Sequence, residues 1–190
     1  MALSPGSADV WTNLGSLEAA QENHSGALRN FERALAIAPD SVFTLVSAGR
    51  EQGKLGRVVG AEQTLRRALR LAPRDPEGAN QLGLLLAAQN RTAEAAECFQ
   101  QAIAAERNHS GAINNLGVLY VQMQKIQEAI AAFRYGIEVL PDEEIFYLNL
   151  ARAYVASGDR TKARAILEQL LDRQPGNAEA KKGLSELMAR

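Results

Sequence analysis

The chain has 190 residues, of which 46% are hydrophobic and 23% charged, and its formal net charge is −1. The hydrophobic fraction suffices for a buried core, and a near-neutral chain has no general attraction for nucleic acid or an anionic membrane. The single cysteine, Cys98, excludes an intramolecular disulfide and is expected to pack as a small apolar residue. No stretch is long and apolar enough to cross a bilayer, and residues 1–7 do not form a signal peptide, so we expect a cytoplasmic protein.

Residues 1–7 form a short, turn-like segment, and a 34-residue periodicity follows it. One position of the period carries alanine, a second glycine, a third a large apolar residue and a fourth proline. The four series are Ala27, Ala61, Ala95, Ala129 and Ala163; Gly15, Gly49, Gly83, Gly117 and Ala151; Phe31, Leu65, Phe99, Phe133 and Leu167; and Pro39, Pro73, Pro141 and Pro175. A fixed period of this length indicates a repeat protein. We predict one continuous array of five units, at 8–41, 42–75, 76–109, 110–143 and 144–177.

Each unit is predicted to fold as two antiparallel helices, helix A followed by helix B. In the first unit, apolar and small residues recur at helical spacing in two runs, which residues 21–24 separate. Pro39 ends the second run, because proline cannot continue a helix. Gly15 and Ala27 are small, and we expect them to meet where helix A crosses helix B.

The turn between helix A and helix B has a distinct residue at its centre in each unit. Gly56, Gly158 and Asn90 suit a left-handed backbone at this point. Glu22 and Gln124 occupy the same position in the first and fourth units and suit it less well. We therefore expect the turns at Glu22 and Gln124 to be less favourable than those at Gly56, Asn90 and Gly158.

The junctions and ends of the array carry further expectations. Arg107 stands where other units have proline, which predicts a slightly longer or looser helix B in the third unit. Residues 178–190 begin a sixth unit with one helix, a polar cap whose Leu184, Leu187 and Met188 face back onto the fifth unit. No comparable cover precedes the first helix, so we expect either that this end meets a partner or that the chain belongs to a longer protein.

These motifs resemble the tetratricopeptide repeat family over residues 8–177. The matching residues are Trp11-x-x-Leu14-Gly15, Ala27, Phe31, Ala34 and Pro39 in the first unit, and Ile113-x-x-Leu116-Gly117-x-x-Tyr120, Ala129, Phe133 and Pro141 in the fourth. The resemblance implies an all-α fold, a right-handed α-solenoid superhelix with the helices A along its concave face. Members of the family bind extended or helical peptides there and perform no chemistry. The RNA-binding pentatricopeptide family is the nearest rival, and the strict 34-residue period and acidic pI argue against it.

The resemblance also implies which side chains face a ligand. The candidate peptide-binding residues are Asn13, Ser16, Arg50, Asn80, Leu84, Asn114, Asn115, Val118, Val121, Leu148, Asn149 and Arg152. Much of this surface is aliphatic, and its sparse charge is positive, from Arg50, Lys54 and Arg152. We therefore predict a protein or peptide ligand that is apolar to mildly acidic. The alternative is that the aliphatic side chains pack between neighbouring helices A.

In three units, asparagine stands directly before the leucine of a Leu-Gly or Leu-Ala pair. These residues are Asn13, Asn115 and Asn149. An amide both donates and accepts, so it is suited to pairing with a peptide backbone. Some sugar-transferase members of the family are associated with an asparagine ladder at this place. Ser47 and Gln81 interrupt the ladder here, and the alternative is that asparagine simply lies at the helix surface.

No catalytic or metal site is predicted. His24 and His109 lack the spacing to other ligands that zinc requires, and no phosphate-binding glycine loop occurs. The leading hypothesis is a non-enzymatic protein–protein interaction scaffold without cofactor, metal, nucleic-acid partner or membrane contact. The alternatives are a substrate-recruiting arm of a larger enzyme, such as a glycosyltransferase, and a homo-oligomer assembled through the N-terminal end.

Overall fold

The computed structural model describes residues 7–188, and within this range it contains eleven α-helices and no β-strand. The helices are α1 (Ala8–Ala20), α2 (His24–Ile37), α3 (Val42–Lys54), α4 (Val58–Leu71), α5 (Pro76–Ala88), α6 (Thr92–Ala105), α7 (Ser110–Gln122), α8 (Ile126–Val139), α9 (Glu144–Ala156), α10 (Arg160–Arg173) and α11 (Ala178–Met188). The structure confirms the all-α prediction. The predictions for residues 1–6 and 189–190 concern residues outside the described range.

The helices form successive antiparallel pairs, α1 with α2 through α9 with α10. All five residues of the alanine series are completely buried within these pairs. The residues of the glycine series lie against those of the large apolar series. At Gly83, for example, an added Cβ would come within 2.6 Å of the Phe99 ring. The atoms nearest to a Cβ at Gly15 all belong to Phe31, rather than to Ala27 as predicted. The aromatic ring therefore fills the helix crossing, and glycine makes room for it.

The turns within the pairs have left-handed residues at the five predicted positions. The φ angles are +72° at Gly56 and +84° at Gly158, and about +60° at Glu22, Asn90 and Gln124. Glutamate and glutamine thus accept a backbone that glycine adopts at lower energy. The same turn geometry recurs in every pair despite these differences in residue type.

The prediction of a longer helix before Arg107 is wrong. Helix α6 has 14 residues, like α2, α4, α8 and α10. The His109 N–H donates to the Glu106 carbonyl at 3.1 Å, as the Asp75 N–H donates to Ala72 at 3.0 Å. Because this backbone hydrogen bond closes the turn, proline is not needed to end the helix.

The chain divides into two compact units, and one continuous array of five repeats stays a prediction. The N-terminal unit, Met1–Ala105, contains α1–α6, and the C-terminal unit, Glu106–Arg190, contains α7–α11. A core cluster of the N-terminal unit is built on Ala27, Leu28, Phe31 and Ala48. A core cluster of the C-terminal unit is built on Tyr147, Leu148, Ala151, Ala163, Leu167, Leu170 and Ala180. The boundaries of the five repeats remain our interpretation.

Helix α11 packs against α10 at the end of the C-terminal unit. Ala180 is buried in the core cluster, and Leu184 and Leu187 pack against it. Met188, which was expected to face the fifth unit, is instead 75% exposed. None of the helices in residues 7–188 has the length and apolar character needed to span a bilayer.

Candidate functional site

One surface of each unit is formed by its odd-numbered helices, which contact one another as α1, α3 and α5 in the N-terminal unit and as α7 and α9 in the C-terminal unit. We call this surface the odd-helix face. It carries the predicted site residues at corresponding positions of the 34-residue period. The two units are described in turn, beginning with the C-terminal one.

A chain of side-chain hydrogen bonds joins three predicted site residues of the C-terminal unit. The Asn149 Nδ2 of α9 donates to the Asn114 Oδ1 of α7 at 2.7 Å. The Arg152 Nη1 donates to the Asn149 Oδ1 at 3.1 Å. This arrangement fixes the two amides and orients the guanidinium, whose further N–H groups are available to an acceptor on a ligand.

Exposed valines flank this polar chain. Val118 and Val121 on α7 are 37% and 38% exposed, and Val155 on α9 is 44% exposed. Leu148 is only 9% exposed and belongs to the core cluster. The valines therefore offer apolar surface to a ligand, whereas Leu148 packs largely inside, as the alternative interpretation of the aliphatic residues predicted.

A cavity of about 640 Å³ is lined by residues of α9, α10 and α11. Its lining comprises Leu148, Ala151, Arg152, Val155, Arg160, Leu167, Glu179, Lys182, Gly183, Glu186 and Leu187. This volume is in the range of ligand-binding clefts in proteins. Sequence reasoning treated α11 only as a cap and missed its contribution. The period could have revealed it, since Lys182 stands 34 residues after Leu148 and Glu186 stands 34 after Arg152.

The charges around this cavity are mixed. Arg152, Arg160 and Lys182 are cationic, and Glu179 and Glu186 are anionic. The Arg160 guanidinium donates to the backbone carbonyl of Leu187, which ties α10 to α11. The cations of the lining therefore exceed its carboxylates by one.

The odd-helix face of the N-terminal unit carries two large, exposed apolar side chains. Leu84 on α5 is 41% exposed and Phe43 on α3 is 63% exposed, whereas Val46 and Asn80 are each only 5% exposed. Phe43 was missed by sequence reasoning, although it stands four periods before the cavity residue Glu179. An exposed aromatic ring on this face offers a large apolar contact to a partner.

The predicted positive charge of this face is balanced by a buried carboxylate. The Arg50 Nε donates to the Glu51 Oε1 at 3.1 Å, and the Lys54 Nζ lies 3.7 Å from the same oxygen. The His24 Nδ1 lies 2.7 Å from the Glu51 Oε2. Glu51 is completely buried. The cationic character predicted from Arg50 and Lys54 is therefore reduced, because both side chains serve the interior ion cluster.

The other predicted residues are not brought into one cluster by the contacts described. Asn13 is exposed on α1, and Ser16 donates its hydroxyl to the Thr12 carbonyl within the same helix at 3.1 Å. Asn115 is half-buried. The described amide–amide bond runs from Asn149 to Asn114, one position before the predicted ladder residue.

The structure also locates the groups with potential for other chemistry. Cys98 is 8% exposed, and burial raises the pKa of its thiol, which disfavours the reactive thiolate. His109 caps α7, where its Nδ1 accepts from the Ala112 N–H at 3.1 Å. Within residues 7–188, no group of three or more histidine, cysteine, aspartate or glutamate side chains could hold a metal ion.

Comparison with known families identifies the class of protein. Tetratricopeptide repeat models match residues 8–41, residues 46–113 and 80–144, and residues 120–187. These matches cover most of the chain, and the protein therefore belongs to the tetratricopeptide repeat family. A comparison with curated proteins gave no match.

Several solved structures are similar to this chain. The structure of PilF from Pseudomonas aeruginosa has a TM-score of 0.79 at 20% identity, over 95% of this chain and 88% of that one. A MamA structure has a TM-score of 0.73 at 23% identity, over 90% and 94%. YrrB, described as a TPR protein with an unusual peptide-binding site, has a TM-score of 0.66 at 21% identity, over 90% and 89%. At these identities, the likeness shows the fold alone.

Proposed function

We propose that this protein is a non-enzymatic interaction scaffold that binds a peptide or helix of a partner protein on its odd-helix face. The observation that carries the proposal is the hydrogen-bonded chain of Asn114, Asn149 and Arg152 beside the exposed Val118 and Val121. Polar groups with fixed directions next to exposed apolar surface are the usual composition of a peptide-binding site.

The apolar part of the face supplies binding free energy. Val118, Val121 and Val155 are each more than a third exposed. Covering such surface with apolar side chains of a peptide gains about 25 cal/mol for each Å² removed from water. An ordered helix surface also adds little conformational cost of its own, because its backbone is already fixed.

The polar part of the face determines the orientation in which a ligand binds. The amide of Asn149 is held at its Nδ2 by Asn114 and at its Oδ1 by Arg152. The guanidinium of Arg152 is thereby oriented, and it can donate to a backbone carbonyl or to a carboxylate of the ligand. Arg160 and Lys182 line the same cavity and add two further cations, whereas Glu179 and Glu186 would repel a strongly acidic ligand.

The comparisons support this proposal without assigning a ligand. YrrB is a structural neighbour whose description includes a peptide-binding site. The family to which the chain belongs consists largely of interaction modules, and we extend that property to this chain as part of the proposal. The corresponding exposed residues of the N-terminal unit, Phe43 and Leu84, are proposed to contact the partner as well.

Selection from a displayed library of random peptides tests the proposal. We expect bound peptides rich in apolar residues with few carboxylates, and we expect Val118→Glu to weaken their binding at least tenfold, measured by fluorescence anisotropy. Glutamate at this position places a charge in the apolar contact. Ala165→Glu on the exposed surface of α10 is the matched control, and circular dichroism checks that both variants fold. Equal affinity of the folded Val118→Glu variant and the control would reject the site.

A further inference from the structure

The cavity lined by α9, α10 and α11 has an apolar floor and a charged rim. Leu148, Ala151 and Leu167 form the floor, since each is at most 9% exposed and belongs to the core cluster of the C-terminal unit. Gly183 and Leu187 of α11 are half-buried and line the cavity as well. The charged residues of the lining are all exposed. An apolar centre with a charged, solvent-accessible rim is the usual composition of a protein-binding surface.

The packing of α11 differs from that of the other odd-numbered helices. Neighbouring odd-numbered helices within a unit contact each other, as α3 contacts α5 and α7 contacts α9. Among the described residues, α11 contacts α9 less extensively than these pairs do, and it packs chiefly on α10. Gly183 lies against α10, since a Cβ there would come within 2.9 Å of the Leu167 Cδ1. The floor residues of α9 are therefore not covered by α11 as they would be by a closely packed helix.

The charges of the lining are divided between its helices. Arg152 of α9 and Arg160 of α10 are cations, and these two helices contribute no carboxylate to the described lining. Both carboxylates, Glu179 and Glu186, lie on α11, with Lys182 between them. Hydrogen bonds within the protein hold both guanidinium groups in place. The cavity thus has a cationic side on α9 and α10 and a side of net negative charge on α11.

The three charged residues of α11 form one line along the helix. Glu179, Lys182 and Glu186 are separated by three and four residues, which is the spacing of side chains on one face of a helix. At 1.5 Å per residue, this line is about 10 Å long. Charged side chains on a second helix repeat at the same spacing, whereas three successive side chains on one face of a strand span about 13 Å. A helix therefore matches the charges of α11 better than an extended peptide does.

We propose that this cavity binds an amphipathic helix of the partner protein that is acidic along one flank and basic along the other. The inference rests on the proposed function, because it specifies the ligand of the site to which Arg152 belongs. The apolar stripe of the ligand contacts the cavity floor, its acidic flank faces Arg152 and Arg160, and its basic flank faces Glu179 and Glu186. Each side of the cavity then meets charge of the opposite sign. A helix that is acidic on both flanks would set carboxylates against those of α11.

Binding of designed helical peptides to the full chain tests the proposal. Two fluorescein-labelled, hydrocarbon-stapled peptides have the same composition and the same stripe of leucines. The segregated peptide has glutamates on one flank and lysines on the other, whereas the mixed peptide has both residues on each flank. Stapling holds both peptides in the helical conformation, so that they differ in the arrangement of charge. We expect fluorescence anisotropy to show that the segregated peptide binds roughly tenfold more tightly than the mixed one.

Charge reversal on α11 provides a second measurement. Glu186→Lys should weaken binding of the segregated peptide roughly fivefold, because it sets a lysine against the basic flank. The same variant should strengthen binding of a third stapled peptide, with glutamates on both flanks, by roughly fivefold. Glu128→Lys on the exposed surface of α8 is the matched control, since it makes the same change of net charge outside the cavity. It should leave both affinities nearly unchanged, and circular dichroism checks that both variants fold.

Three results would overturn this inference. One is equal affinity of the wild type for the segregated and mixed peptides, and another is no binding of the segregated peptide at millimolar concentration. The third is a folded Glu186→Lys variant that changes the affinities for the segregated and the acidic peptide in the same direction. The proposed function would survive these results if library-selected peptides bind and Val118→Glu weakens them, because Val118 of α7 is outside the cavity lining.

Discussion

Gly117 on α7 has no space for a side chain, because the ring of Phe133 on α8 occupies the place where a Cβ would point. The same relation holds for Gly15 with Phe31 and for Gly83 with Phe99. In the second pair, Leu65 takes the place of the ring beside Gly49. The glycine and the large apolar residue are therefore one steric unit, and each is explained by the other rather than by local helix preference.

We expect Gly117→Ala to lower the free energy of unfolding by about 1–3 kcal/mol, because the added methyl group overpacks the helix crossing. Gly60→Ala in α4 is the control, since the nearest heavy atom to its Cβ would be the Gln52 Nε2 at an ordinary 3.7 Å. The control should raise the free energy of unfolding by about 0.5–1 kcal/mol, because alanine is less flexible than glycine in the unfolded chain. Urea unfolding followed by circular dichroism measures both, and a stabilising Gly117→Ala would contradict the steric account.

Sequence periodicity predicted these residues but not all of their contacts. The period placed Gly117 and Phe133 in the right helices, because the 34-residue spacing reports positions that must repeat. It did not show that glycine meets the ring, since that depends on the distance between two helices. It also missed that Arg50 turns toward Glu51, because side-chain direction is set by the nearest buried charge and not by the register.

At the scale of helices, α4 and α6 are joined by a cluster of ion pairs. The Arg91 guanidinium, at the start of α6, lies 2.7 Å from Glu62 of α4 and 2.6 Å from Glu94. Arg66 of α4 lies 2.8 Å from Glu62 and 3.5 Å from Glu94. Hydrogen bonds from Arg91 are the largest cause that lowers the pKa of the Glu62 and Glu94 carboxyl groups.

The lowered pKa values of Glu62 and Glu94 determine how the free energy of unfolding changes with pH. A carboxyl group with a lower pKa in the folded state stabilises the fold above its unfolded pKa, and this contribution is lost as pH falls through the folded pKa. We expect Arg91→Met to reduce the free energy of unfolding at pH 7 and to make no difference well below pH 4, where the glutamates are protonated. Arg164→Met removes a single exposed pair with Glu168 and should have a smaller effect. Urea unfolding at several pH values tests this, and an Arg91→Met effect that is constant with pH would contradict it.

The helices themselves were largely predictable, and the local exceptions have physical causes. The turns at Glu22 and Gln124 adopt the left-handed backbone because each must join two helices at the same geometry as glycine does elsewhere. The end of α6 follows a backbone hydrogen bond rather than the residue at 107. The bond between Asn149 and Asn114 was not predictable, since it joins residues of different helices and depends on their separation.

At the scale of the whole molecule, the chain is a tetratricopeptide repeat protein with two compact units. Because the repeats stack on one another, each unit has an odd-helix face on which some side chains do not pack against neighbouring helices. We propose that such side chains contact a partner peptide. They are Val118 and Arg152 in the C-terminal unit, and Leu84 and Phe43 in the N-terminal unit. The side chains of the alanine series cannot contact a partner, because all five are completely buried.

Site-specific photo-crosslinking tests this central claim most directly. A benzophenone amino acid is placed at Val155 on the odd-helix face or at Ala165 on the exposed surface of α10, and each protein is irradiated with a peptide selected by the wild type. We expect a covalent adduct from position 155 that excess unlabelled peptide abolishes, and none from position 165. An adduct of equal yield from position 165, or none from position 155 while the peptide is bound, would contradict the account.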